Sequence, residues 1–120
     1  MLRDDLVTAG QLLDTVRRIR GMVRGRARAD FEADDVRQLA ILHLIQVLGE
    51  AASRLSAVFR EAHPEIPWSR MIGMRNRIVH GYDEVDPDVV WRVAVDDVEP
   101  LLAALERIVP ESEGVDHRWQ

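Results

Sequence analysis

Met71-Ile72-Gly73-Met74-Arg75-Asn76-Arg77-Ile78-Val79-His80-Gly81-Tyr82 is the stretch around which this chain is organised. Met71, Met74 and Ile78 recur at three- and four-residue steps, the spacing of one stripe of an α-helix. Arg75 falls on that stripe, four residues after Met71 and three before Ile78. A guanidinium there is unusual, because arginine is rarely buried without a partner. His80 follows Asn76 by four residues and shares a neighbouring face with it. Gly81 suits a helix C-terminus, where a left-handed residue is often needed. The spacing predicts a helix over Trp68–Val79 whose last turn carries polar chemistry at the edge of a packed surface. Residues five apart on an ideal helix differ by about 140°. Arg75 and His80 therefore do not converge by spacing alone. Either the helix end bends, or Arg75 reaches round, or a partner subunit completes the site.

Three further helices flank this one. Leu2, Leu6, Ala9, Leu13 and Val16 mark an amphipathic helix over residues 2–23, with Gly21 and Gly25 weakening its end. A longer helix is expected over residues 31–60, with Asp30 as N-cap, and His63-Pro64 ends it. Asp86-Pro87 opens the last helix, with proline at its favoured first position. Its stripe runs through Val90, Ala94, Val98, Leu101, Leu105 and Ile108, and Pro100 should kink it. No stretch alternates as a strand does. The expected fold is all-α: an up-and-down four-helix bundle with a kinked last helix. Residues 1–109 read as one helical domain and 110–120 as a tail.

The chain has 120 residues, enough for one core, and no cysteine. That excludes disulfides and thiolate metal sites and fits a cytoplasmic protein. No hydrophobic signal core follows the charged Arg3-Asp4-Asp5. The longest nearly apolar run, Leu39 to Leu48, is broken by His43 and Gln46 and is too short to span a membrane. All 16 basic residues are arginine, and the net charge is −5. Residues 1–30 are net positive, with Arg17, Arg18, Arg20, Arg24, Arg26 and Arg28 clustered. Residues 81–120 are strongly acidic. The cluster is either a solvated helix end or a contact for RNA phosphates or an acidic partner. The overall charge argues against a general nucleic-acid coat, but an enzyme touching a few nucleotides needs only a local positive patch.

Between Leu39 and Leu48 the apolar residues cover more than one helix face. A surface helix of a monomer needs one stripe. The extra breadth implies two buried faces, the second meeting another copy across a two-fold interface or else another part of the same chain. His43, inside this run, reads as a hydrogen-bonded packing residue. Glu50 needs a cationic partner at such a seam, and Arg75 is a candidate.

RNA cleavage is one chemistry these residue types permit. RNA carries its own nucleophile, the 2′-hydroxyl. Histidine serves as base or acid near neutral pH. Arginine presents a permanent charged fork to phosphate oxygens. One His80 cannot be base and acid at once, but two copies across a dimer seam divide the roles. The plainer reading of the same residues is a helix-capping His80, a packing Tyr82 and an ion-paired Arg75. His43, His63, His80 and His117 show no metal-ligand spacing, so neither metal nor cofactor is expected. Glycine-rich phosphate loops and a nucleophile elbow are absent.

Arg75-x4-His80-x-Tyr82 resembles the signature of HEPN-domain ribonucleases, in the form found in HepT-like toxins. Ile66-Pro67-Trp68, Gly73-Met74-Arg75-Asn76, Val85-Asp86, Val90-Trp91 and the earlier Leu48-Gly49-Glu50-Ala51 carry the likeness further. It runs from about residue 3 to residue 108. The resemblance implies a metal-independent endoribonuclease with a composite site at a homodimer interface. It implies Arg75 and His80 as the catalytic pair and Asn76 as the supporting polar residue. Tyr82 would be the tyrosine that a nucleotidyltransferase antitoxin modifies with AMP, blocking RNA. The expected partners are a second copy, that antitoxin and RNA, with no membrane and no DNA. A non-catalytic helical partner of a nucleotidyltransferase, using the Arg75–Tyr82 surface to bind nucleotide or protein, is the alternative.

Overall fold

The structure, a computed structural model, describes residues 3–110. Helix α1 spans Arg3–Val23, α2 Arg28–Glu32, α3 Asp35–Arg54, α4 Ala57–Ala62 and α5 Trp68–Gly81. A 3₁₀ turn follows at Tyr82–Glu84. Helix α6 (Pro87–Arg92) runs through a π turn (Val93–Asp97) into α7 (Val98–Ile108). Among the described residues there is no strand. None of the described helices is long and apolar enough to cross a membrane. The expected tail lies outside the described residues from 111 onward.

Helices α1, α3, α5 and the α6–α7 run form the all-α bundle expected. Helix α3 packs chiefly between α5 and α1, and α1 also packs against α7. Leu12, Leu13, Val16 and Ile19 of α1 meet Ile41, Ile45 and Leu48 of α3 and Val98 and Leu105 of α7 in the core. Burying each such side chain contributes about 1.5–3 kcal/mol.

Helix α3 is shorter than the expected 31–60. The chain breaks at Ala33-Asp34, where the Asp34 carboxylate accepts the backbone N–H of Arg37 at 3.0 Å and so caps α3. Asp30 does not cap it. Its carboxylate accepts the N–H of Ala27 at 2.9 Å, inside α2. A second break falls at Leu55, in extended conformation, and Ser56 caps α4 by accepting from the N–H of Phe59. In each case a short polar side chain takes over an orphan N–H, and the chain restarts in a new direction. Much of the apolar breadth of α3 is also consumed inside the chain, by α1 on one side and α5 on the other. What remains uncovered is a narrower strip beginning at Val36 and Leu39, which are 77% and 53% exposed.

The last helix changes winding just ahead of Pro100. That ring has no N–H to offer the preceding turn, and the wider π turn falls immediately before it.

Two local devices hold the helices in place. Asp5, buried in the first turn of α1, accepts the backbone N–H of Ser56 at 3.0 Å and its hydroxyl at 2.7 Å. This ties the start of α1 to the α3–α4 junction. The other device is Gly49. A β-carbon there would collide with the β-carbon of Arg75 and come within 2.7 Å of the Met71 carbonyl oxygen. The bare glycine lets α5 sit directly on α3.

Gly49→Ala should therefore lower stability. Alanine gains about 1 kcal/mol as a helix former, but overpacking against a fixed carbonyl costs about 1–3 kcal/mol. A fall in the urea midpoint at unchanged slope is the expected reading. Asp5→Asn should also lower the thermal midpoint near neutral pH. The Ser56 N–H, and then its hydroxyl, hold the Asp5 carboxyl below its ordinary value of 3.8. Its contribution is full above that ordinary value and is lost as pH falls through the lowered one. The gap between wild type and variant should be widest near neutral pH and close in acid.

Candidate active site

Helix α5 carries Arg75, Asn76 and His80, its turns aim them in different directions, and Tyr82 follows just past its end. Arg75 lies over the Gly49 notch, on the side facing α3. Its Nη1 donates to Asn76 Oδ1 at 3.0 Å. Its Nε lies 3.9 Å from Glu50 Oε1, which also accepts from Gln46 Nε2 at 3.1 Å. That Nε is shielded from solvent and has no hydrogen-bond partner among the described residues. Glu50 thus has the cation its position asks for, at the long end of ion-pair distance.

His80 points elsewhere. It is exposed and lines a cleft of about 310 Å³ with Asn76, Arg77, Gly81 and Glu84. Asn76 is the link between the two, accepting from Arg75 and lining the cleft of His80. Within one chain Arg75 and His80 are not brought together, as their five-residue spacing predicts. Gly81 does not take the left-handed conformation expected of it. Its φ of 178° is extended, and α5 tightens into the 3₁₀ turn instead. Glu84, which the sequence placed only in an acidic stretch, shares the cleft with His80.

Tyr82 opens that 3₁₀ turn and is 59% exposed. With Leu39, His43 and Val79 it lines a hollow of about 380 Å³ between α3 and α5. His43 is therefore no packing residue. It stands at the surface beside Tyr82, because α3 turns that face away from α1. Val79 is 50% exposed. Val36, Leu39, Val79 and Tyr82 thus form an uncovered apolar edge next to Arg75, which precedes Val79 by one turn.

Three of the six clustered arginines are neutralised by partners. Arg18 pairs with Asp14 at 3.1 Å, Arg20 with Glu99 at 2.7 Å, and Arg28 with both Glu32 and Asp88. These contacts favour the solvated-face reading for those three residues. Among the described residues, no three histidine or acidic side chains gather as metal ligands would. The site offers two guanidinium groups (Arg75 and Arg77), one imidazole, one bridging amide and an accessible phenol. Such a set suits binding and proton transfer on a phosphodiester.

Sequence reasoning passed over Arg77. It lines the His80 cleft and also a larger groove nearer the start of α5 on the same flank. The signal was present in the i, i+4 spacing of Gly73 and Arg77, which puts both on that flank.

Comparison with known proteins gives the family. The family model for ribonuclease HepT-like proteins matches residues 12–108. A "Probable ribonuclease HepT" of Thermococcus cleftensis is 34% identical over 79 residues, 66% of this chain and 72% of that protein. A "Putative RNase" of Caldanaerobacter subterraneus subsp. tengcongensis is 30% identical over 87 residues, 72% of this chain and 78% of its own. A "Putative RNase" of Methanocaldococcus jannaschii is 28% identical over 87 residues, 72% of each chain. No solved structure matches the chain significantly. The matched span runs from the middle of α1 to the end of α7 and includes every residue of the candidate site, and the chain belongs to the ribonuclease HepT-like family.

Proposed function

We propose that this protein is a metal-independent endoribonuclease that works as a homodimer, with Arg75 and His80 as its catalytic residues. The observation that carries the reading is the division of α5. An exposed His80 stands in a cleft, and Arg75 is held by Asn76 on another flank, beside an uncovered apolar edge. A two-fold axis along that edge would cover Leu39 and Val79 and bring two copies of the site face to face. Each copy supplies what the other lacks.

In this mechanism the RNA 2′-oxygen attacks its own phosphorus while His80 takes the 2′-hydroxyl proton. Arg75 neutralises the charge that grows on the phosphorane oxygens. The partner's His80, protonated, gives its proton to the 5′-oxygen as the P–O5′ bond breaks. The products are a 2′,3′-cyclic phosphate and a 5′-hydroxyl end. Asn76 fixes the guanidinium and lies beside the imidazole, so it positions both.

Tyr82 extends the proposal to regulation. Its phenol is exposed on the same edge and is within reach of an AMP-transferring nucleotidyltransferase. An adenylyl group there would add bulk and negative charge where RNA phosphate must lie. The protein would then be the toxin of a toxin–antitoxin pair, with that nucleotidyltransferase as its antitoxin.

Purified protein should cleave RNA in the presence of EDTA and leave 2′,3′-cyclic phosphate ends. His80→Ala should cut about 10²–10⁴-fold more slowly, and its expression should spare growth where the wild type arrests it. If folded, dimeric protein unmodified at Tyr82 cuts none of a broad RNA panel, the non-catalytic partner of a nucleotidyltransferase replaces this reading. Leu39→Asp tests the seam. Leu39 is exposed in the single chain, so the variant should fold, sediment as a monomer and lose cleavage. A cleaving monomer would contradict the composite site.

A further inference from the structure

Helices α5 and α7 both lean on the rest of the bundle without closing on each other. Between them lies a groove of about 590 Å³, with Ile45 and Leu48 of α3 as its floor. Its walls are apolar, from Met71 and Met74 on one side to Val93 and Leu101 on the other. Its rim is polar. Arg70 and Asp97 pair across it at 3.0 Å, and Arg77 stands beside them. Arg77 makes no ion pair and no side-chain hydrogen bond among the described residues. It is also the residue shared with the His80 cleft, so the groove and the cleft meet at one guanidinium.

Gly73 sharpens the question. Glycine inside a helix costs stability relative to alanine, and the cost needs a reason. At Gly49 the reason is the close approach of α5. At Gly73 there is no such contact, since a β-carbon built there meets nothing within 4 Å. Gly73 lines the groove, one turn before Arg77. The missing side chain leaves room for something that is not protein.

We propose that this groove is a base-binding subsite, holding an unstacked nucleobase of the RNA strand next to the phosphate cut at His80. The inference rests on the ribonuclease reading and adds the determinant of sequence preference to it. The groove's volume and its mix of apolar walls with few polar rim groups fit a small planar ligand. The thioethers of Met71 and Met74 suit a π face. Arg77 stacks on the base or holds the phosphate that joins it to the cleft. Glu65 and Asp97 at the rim accept from exocyclic amino groups.

The test compares wild type, Gly73→Ala, Gly73→Leu and Arg77→Ala on short single-stranded RNAs in which the bases flanking the cut are varied. Gly73→Ala, which adds one methyl to the groove, should raise the unfolding midpoint and weaken the preference among bases less than Gly73→Leu does. Gly73→Leu fills the groove. It should stay folded and dimeric, yet lose about tenfold or more in kcat/KM on the preferred sequence and flatten the preference among bases. Arg77→Ala should weaken the same preference. If the wild type cuts RNA and Gly73→Leu leaves pattern and rate unchanged, the subsite is refuted while the ribonuclease reading stands. A Gly73→Leu that changes the association state but not the pattern makes the groove an interface between copies and also refutes it. A wild type that cuts no RNA overturns the ribonuclease reading and this one with it.

Discussion

The contact on which the rest depends is the seating of α5 on α3 at Gly49. It brings two backbones together with no side chain on the α3 side, and the residue occupying the notch is Arg75. A guanidinium is thus carried to the edge of the core by packing rather than by an ion pair, its nearest carboxylate being 3.9 Å away. Its stem is confined by backbone atoms, which cannot rotate out of the way as side chains do. That confinement limits the orientations of the charged head, and Asn76 limits them further. A group that meets developing negative charge works best when it needs no rearrangement.

Much of this was legible in the chain because helical periodicity survives translation into space. The stripes of α1 and of the α6–α7 run predicted most of their buried residues, whereas on α5 only Ile78 of the stripe is buried and Met71 and Met74 are partly so. Asp86-Pro87 marked the start of α6, with Asp86 capping it through the N–H of Asp88. The angle between Arg75 and His80 followed from counting residues. The breaks in the long central helix did not follow. Asp34 and Ser56 each stop a helix by capping the next one, and nothing in an apolar pattern registers a cap in mid-run. Nor does spacing reveal that Asp5, one of three charged residues at the start, is buried against a serine 51 positions away.

The candidate site shows the same division. Residue types and spacing were enough to nominate Arg75, Asn76, His80 and Tyr82. The surroundings needed coordinates. His43 looked internal because its neighbours are apolar, yet it lies where α3 rotates its face to the surface. Gly73 and Gly49 look alike as helix-interior glycines, and only their neighbours distinguish them. One is filled by a neighbouring helix and the other faces open space.

The position of α1 bears on how the chain is made. Its apolar stripe is covered by α3 and by α7, and its first turn is tied to Ser56. On a ribosome, α1 emerges long before either partner helix. Helix α3 can cover part of this stripe early, but the face turned to α7 stays open until residues 98–108 have cleared the exit tunnel. The core then closes as a late event involving the first and last helices together. Until that point the growing chain presents a sticky amphipathic helix, the kind of surface that chaperones hold.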